Sequence, residues 1–293
     1  MNIKPKIAIV TVTYNSAKVI NDFLNSILNQ TYLDWHLYLV DSNSNDDTLN
    51  IVKSFNSSKI TILSQSKNVG FASGNNIGVK ESLHDGCDEL LLINNDTIFD
   101  SNLLELLVNS RLSYPNTVIT PKIYSEDGKT IWAAGGGFIP KNAWASYHIG
   151  EGKLEHIEFN YDKYCDFVPM CCVMIPKNIW RIVGELDEKF FIYSEDADWF
   201  YRALQNNIKL IYCHEPRLIH KVSSLTGGAH SKIGASYGTR NRVYFICKHF
   251  FGVQKYIYLS KYFIGMFVSL AISKYQAREF LWRFRAFFAG FKV

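Results

Sequence analysis

The chain has 293 residues, 47% of them hydrophobic and 20% charged, with a net charge of +4. That length suits one large domain or two small ones with a sizeable core, and the composition excludes a disordered or low-complexity chain. Six cysteines, at 87, 165, 171, 172, 213 and 247, form no C-x-x-C pair, so zinc ribbons and thioredoxin chemistry find no support.

The first half alternates between strand and helix patterns. Residues 7–12 are a continuous apolar run rich in β-branched residues, the mark of a strand buried on both faces. Val19, Ile20, Phe23, Leu24, Ile27 and Leu28 then recur at helical spacing along one stripe. Further strands are predicted at 36–40, 60–63 and 89–93, with helices near 48–55 and over 72–82. This rhythm predicts a mainly parallel central sheet with helices on both faces. Thr13, Asp41 and Asp96 all fall at the C-terminal ends of strands, where open α/β sheets bind their ligands.

From residue 101 to 184 the rhythm breaks. A helix is predicted at 102–112. Ala133-Ala134-Gly135-Gly136-Gly137, with Trp132, Trp144 and Tyr147, reads as loop-rich. Strand character resumes at 167–175. Ser194 looks like an N-cap for a helix at 195–206, along which Asp198 and Arg202 stand four apart and can pair. A strand at 208–212 and a turn at Glu215-Pro216 follow, and the chain is helical and aromatic to its end.

Five segments carry chemistry: Val10-Thr11-Val12-Thr13-Tyr14-Asn15, Val40-Asp41-Ser42-Asn43-Ser44-Asn45-Asp46, Asn68-Val69-Gly70-Phe71-Ala72, Ile93-Asn94-Asn95-Asp96-Thr97 and Tyr193-Ser194-Glu195-Asp196-Ala197-Asp198. Each alone is weak, since Asn and Asp also make ordinary turns and acids favour the first turn of a helix. In this order and spacing, together with the stretch from Gly184 to Phe191, the set resembles the family 2 glycosyltransferases, most closely their rhamnosyltransferase-like branch. The resemblance covers about residues 6–245. It implies a GT-A-like α/β fold, with a catalytic domain over residues 1–230 and a helical, basic, aromatic extension over 231–293. The nucleotide-binding half would lie at about 1–100 and the acceptor half at about 101–230.

A nucleotide-sugar transferase must hold a base, neutralise a diphosphate leaving group and deprotonate an acceptor hydroxyl. The resemblance assigns base recognition to Asp41, an ionised carboxylate able to accept from a uracil or thymine imide, with Thr13, Tyr14 and Asn15 beside it. The other reading is that Asp41, like Asp46, caps the following helix. Asn68, Gly70 and Asn76 would form a donor-side segment. Asp96 is the expected metal ligand for Mg²⁺ or Mn²⁺, because a divalent cation stabilises a departing diphosphate without proton transfer. The family's aspartate-x-aspartate element is reduced here to Asn94-Asn95-Asp96, leaving the two carboxamides to bond ribose or metal-bound water.

His220, at the start of His220-Lys221-Val222-Ser223-Ser224, is the second candidate for the metal or diphosphate. Lys221, Arg240 and Arg242 are either phosphate partners or solvated charges. The resemblance makes Asp196 the general base, with Glu195 raising its pKa or binding the acceptor. Trp132, Gly136 and Trp144 would form a mobile acceptor loop, unless they simply pack, and Asp198 would join them at the acceptor.

Residues 241–293 hold nine Lys/Arg and one acid, Glu279, a charge of +8 that leaves −4 on the rest. Phe280, Phe284, Phe287, Phe288 and Phe291 form one face of a basic amphipathic helix, which either lies on an anionic membrane or packs on the protein. Residues 262–273 are too short an apolar stretch to span a bilayer needing ~20.

The expected function is inverting transfer of rhamnose or a hexose from a dTDP- or UDP-sugar to a glycan or lipid-linked glycan. No nucleic acid is expected as a partner. With no signal-type segment before the first strand, the expected location is cytoplasmic, peripheral on the inner face of the membrane. The alternatives are a binding protein with an impaired site and a sugar-nucleotide pyrophosphorylase, whose usual glycine-rich N-terminal loop this chain lacks.

Overall fold

The structure, a computed structural model, describes residues 5–221, 228 and 230–293. In chain order, β1 (Ile7–Thr13), α1 (Ile20–Leu28), β2 (Trp35–Asp41), α2 (Thr48–Ser54), β3 (Ile60–Ser64), α3 (Gly70–His84) and β4 (Glu89–Ile93) form the predicted alternation. Then come β5 (Thr97–Phe99), α4 (Leu103–Ser113), β6 (Thr117–Tyr124), β7 (Ile131–Ala133), β8 (Gly136–Ile139) and β9 (Ala145–His148). The chain continues through β10 (Lys163–Cys165), β11 (Cys172–Pro176), α5 (Lys177–Val183), α6 (Glu195–Gln205) and β12 (Lys209–His220). It closes with α7 (Lys232–His249), α8 (Gly252–Ala271) and α9 (Ala277–Ala289).

The described residues build one central, mostly parallel sheet in the order β10-β12-β6-β11-β4-β1-β2-β3, with β5 on β12 and β7 on β6. The block β4-β1-β2-β3 is parallel throughout, and β11 enters antiparallel between β4 and β6. Side chains of a strand alternate between faces, and here the alternation divides two cores. Ala8, Val10, Leu90 and Leu92 face one core, while Ile7, Ile9, Leu91 and Ile93 face the other. Register then lines up the ligand-side ends, with Thr13 of β1 opposite Asp41 of β2.

Several local expectations change. The segment read as loop-rich contains β8 and part of β9, and upstream of it, where no element is predicted, lies β6, buried along its whole length although it carries Pro121 and Lys122. Lys122 is tolerated there because its ammonium pairs with Glu155 at 2.7 Å and also meets Asn160. Glu215-Pro216 is no turn between elements. It lies inside β12, where the register against β6 shifts between Tyr212 and Arg217, a bulge that accommodates a proline lacking its N–H. Ser194 makes no capping bond and sits at φ 68°. The strand predicted at 167–175 is confined to β11.

The phenylalanine stripe is partly internal. Phe280, Phe284, Phe287 and Phe288 of α9 meet Phe263 and Phe267 of α8 at ring-centroid distances of 4.9–6.3 Å. Phe287 joins the core that also holds Trp199 and Phe200 of α6 and Val243 and Phe245 of α7. Phe288 and Phe291 at the end of the stripe stay 49% exposed, so α9 packs through part of the stripe and shows the rest to solvent.

Candidate active site

Strand β5 is three residues long, yet it places the two expected metal ligands together. It pairs antiparallel with the end of β12, setting His220 opposite Thr97. The Lys221 amide then donates to the Asp96 carbonyl at 2.9 Å, and His220 Nε2 lies 3.2 Å from Asp96 Oδ1. Both side chains are buried. Burial acts to lower the His220 pKa, but Cys171 and Asp96 beside it outweigh that and raise it to about 10.

Ligand atoms at neighbouring corners of a Mg²⁺ octahedron stand about 3 Å apart, so this pair fits a shared divalent ion. Entry of the ion would displace the imidazolium proton. Asn94 lines the same cavity, whereas Asn95 spends its Nδ2 on the Val12 carbonyl and tethers the strand end to β1.

The cavity, about 680 Å³, is lined by Asn94, Asn95 and Asp96 on one side and by Glu195 and Asp196 on another. Trp132 closes a third, its ring edge-on to His220 at 4.6 Å. Burial raises the Asp196 pKa to about 6 and lifts Glu195 further, with Asp196 adding to the push on Glu195. Asp196 nevertheless accepts a bond from the Ala197 amide at 2.7 Å, which fixes the carboxylate at the start of α6.

The loop before α6 is held in strained backbone. Phe191, Tyr193 and Ser194 all have positive φ, at 55°, 69° and 68°. Such residues persist only where the surroundings hold them. On one side Phe71 N donates to Phe191 O at 2.7 Å, with the chain packed so tightly that a Cβ on Gly70 would stand 2.5 Å from Phe191. On the other, Asn241 of α7 directs Nδ2 at the carbonyls of Phe190, Ile192 and Tyr193 at 2.7, 2.8 and 2.7 Å.

This geometry corrects several assignments. Asn68, Gly70 and Asn76, expected at the donor, support that loop. Asn68 accepts from the Gly70 amide, and Asn76 bonds both the amide and the carbonyl of Leu186. Asp198, expected at the acceptor, is fully buried and paired with Arg202, Lys248 and His249. Burial opposes its charge, but these three partners prevail and hold it at about 2.

Trp144 packs on Tyr201 and Phe138, away from the cavity. Gly136 sits in β8 where a Cβ would meet the Tyr147 carbonyl at 2.5 Å, so these residues are a packed hairpin and not a mobile loop. Arg240 bonds the Lys189 carbonyl and Asn241, and Lys221 pairs with Asp22 at 2.7 Å. Val222, Ser223 and Ser224 lie outside the described residues.

Arg242 does line the cavity. Its guanidinium donates to the carbonyls of Asn142 and Ala143, and burial lowers its pKa to about 10, which keeps it cationic. Thr13, Tyr14, Asn15 and Asp41 stand at the adjoining strand ends. Asp41 already accepts from Thr13 Oγ1 at 2.9 Å and from the hydroxyl and amide of Ser44. Three of its roughly four acceptor positions are thus taken, leaving one for a ligand. Asp46 accepts from the amide and hydroxyl of Thr48 just ahead of α2, but the N-cap position is Asp47, so Asp46 braces the turn and does not cap the helix as expected.

Sequence reasoning missed Asn241, although it lies between two arginines that were singled out. It also missed Tyr262 and Arg283, which bring α8 and α9 into the cavity wall. No local pattern marks an amide whose partners lie about 50 residues away in the chain.

A mostly parallel α/β sheet whose strand ends meet a carboxylate–histidine pair and a strained acidic helix start is the architecture of a GT-A fold. The profile of glycosyl transferase family 2 matches residues 8–174, more than half of the chain, and the chain belongs to that family. It is 27% identical over 161 residues to the low-salt glycan biosynthesis hexosyltransferase Agl10 of Haloferax volcanii, covering 52% of this chain and 49% of that protein. It is 22% identical over 244 residues to the dTDP-rhamnosyl transferase RfbF of Shigella flexneri, covering 79% and 77%. Among solved structures, GalNAc-T7 with UDP, GalNAc and Mn²⁺ superposes with a TM-score of 0.62 at 16% identity, over 82% of this chain and 48% of that one. The chain thus spans about half the length of Agl10 and of the GalNAc-T7 structure.

Proposed function

We propose that this protein transfers a sugar, rhamnose or a hexose, from a dTDP- or UDP-linked donor to a hydroxyl of a glycan or lipid-linked glycan, with inversion at the anomeric carbon. The observation that carries this reading is the single cavity faced by Asp96 with His220 from one direction and by Asp196 from another.

Thr13, Tyr14, Asn15 and Asp41 receive the nucleoside, and the diphosphate lies toward Asp96. Asp96 and His220 would hold a divalent cation, which supplies charge neutralisation for the departing diphosphate. The acceptor oxygen attacks the anomeric carbon opposite the bond to the diphosphate. That bond breaks with its electron pair on the leaving phosphate oxygen, and the acceptor proton passes to Asp196. A carboxyl with a pKa near 6 is suited to this task, being ionised at neutral pH yet a stronger base than an ordinary aspartate. Glu195 beside it bonds the acceptor, and Trp132 offers an aromatic edge to a sugar ring. Arg242, a cation with carbonyls as its hydrogen-bond partners, suits a phosphate on donor or acceptor.

Titration of UDP and dTDP with and without Mn²⁺ tests the donor side. Asp96→Ala should abolish the metal-dependent gain in affinity, and an undiminished gain would remove Asp96 as ligand. Asp196→Asn should leave nucleotide binding intact while lowering transfer by ~10²-fold or more. Transfer close to that of the unaltered protein would sink the base assignment.

A further inference from the structure

We propose that the outer face of α8 seats this protein on an anionic lipid bilayer, with the helix lying in the plane of the surface. Helix α8 buries only one stripe, Leu259 and Met266, against the body. On the opposite side Val253, Ile257, Ile264 and Val268 follow one another at i, i+4, i+11 and i+15, between 46% and 75% exposed. Phe251 before the helix and Ile272 after it are exposed as well. A helix at a protein–water boundary carries polar residues on its outer face, whereas α8 is mainly apolar there, broken only by Ser260 and Lys261 between Ile257 and Ile264. Among the described residues no helix is long and apolar enough to cross a membrane, so the face is not part of a span.

Charge selects the occupant. The single acid of residues 241–293, Glu279, is buried and paired with Arg283 and His230. Every exposed charged side chain of residues 241–293 is therefore a cation, Lys261, Lys274, Arg278, Arg285 and Lys292 among them. A second copy docking through this face would bring a matching set of positive charges against them. An anionic bilayer offers apolar depth and opposite charge together. The inner side of the same helix supplies Tyr262 to the cavity wall. Docking would thus hold the cavity about one helix diameter, ~10–12 Å, from the lipid. The surface stands or falls independently of the transfer chemistry, since its test measures no turnover.

Co-sedimentation of the full chain with phosphatidylcholine vesicles, with and without one-quarter phosphatidylglycerol, reads the partition directly. Binding should require the anionic lipid and fall as salt is raised. The triple variant Ile257→Gln, Ile264→Gln, Val268→Gln should lose at least about tenfold in partition, with its melting curve and UDP binding unchanged. Lys261→Glu with Lys274→Glu, which touches no packing, should weaken binding by about fivefold or more per charge. That second variant decides the matter should the triple variant melt early. No binding to anionic vesicles, or partition unaffected by the charge reversals, would overturn the proposal. So would a dimer in light scattering that the triple variant disperses, which would make the face an interface between copies.

Discussion

Asn241 holds the loop that delivers the acidic pair to the cavity. Three carbonyls converge on its Nδ2, and Arg240 donates to its Oδ1 at 2.6 Å. Asn241→Leu keeps the volume but leaves those carbonyls without their donor, each worth about 1–3 kcal/mol when buried. The loop should relax from its positive-φ conformation and let Asp196 drift. Because a displacement of about 1 Å can cost ~10²-fold in rate, transfer should fall by roughly tenfold or more while UDP affinity stays close to that of the unaltered protein. Asn241→Asp puts a carboxylate against the same carbonyls and should be at least as damaging. Equal losses in nucleotide affinity and rate would show a general defect and not a positioning role.

At the scale of elements, α9 shows how a stripe read from periodicity can face inward. Phe287 is buried, and Phe280 and Phe284 pack against α8. Gly290, just past the helix, is so close to α7 that a Cβ would stand 2.5 Å from the Arg240 carbonyl. Truncating one buried phenylalanine costs about 3–5 kcal/mol, against a whole-fold stability of about 5–15. Deletion of residues 278–293 should therefore lower the melting temperature sharply and reduce activity on soluble acceptors too. A melting curve identical to that of the full chain would show that α9 is dispensable to the fold. Strand β6 gives the complementary lesson, since Pro121 and Lys122 argue against a central strand until Glu155 and Asn160 supply partners for the lysine.

For the molecule as a whole, the two groups of buried acids pull stability in opposite directions with pH. Asp196 and Glu195 have folded pKa values raised above their ordinary ones. The folded state then holds more protons than the unfolded, so their contribution worsens as pH rises from about 4 through 6 and stays unfavourable above. Glu195→Gln with Asp196→Asn should consequently raise the melting temperature at pH 7 and change it little at pH 4. Asp198, lowered to about 2, behaves in reverse, stabilising at neutral pH and losing that contribution as pH falls toward 2. Asp198→Asn should lower the melting temperature at pH 7. Thermal scans at pH 7 and pH 4 check the first sign and scans at pH 7 and pH 2 the second, and matched shifts within either pair would contradict that sign. Transfer should rise with pH through about 6, as Asp196 ionises, and then level off.

The alternation of β1 to β4 with α1 to α3, and the arrival of Thr13, Asp41 and Asp96 at one sheet edge, could be read from the chain alone. Burial on both faces of a parallel strand imposes a continuous apolar run, and such runs are local facts. The ordered series of polar motifs at the strand ends was equally local, and it sufficed to identify the family. The tasks of Asn68, Gly70, Asn76 and Asp198 could not be read there, because a short polar or flexible residue beside a site looks the same whether it binds a ligand or braces a loop. The partners of Gly70, Asn76 and Asp198, which are Phe191, Leu186, Lys248 and His249, lie about 50 to 120 residues away in the chain, and Asn68 bonds the Gly70 amide beside it. The direction in which the aromatic tail faces was undecided for the same reason. Periodicity says that a helix has an apolar side. Only the packing of α9 against α7 and α8 determines which apolar side is covered: it takes Phe287 into the core and leaves Phe288, Phe291 and the outer face of α8 in contact with solvent.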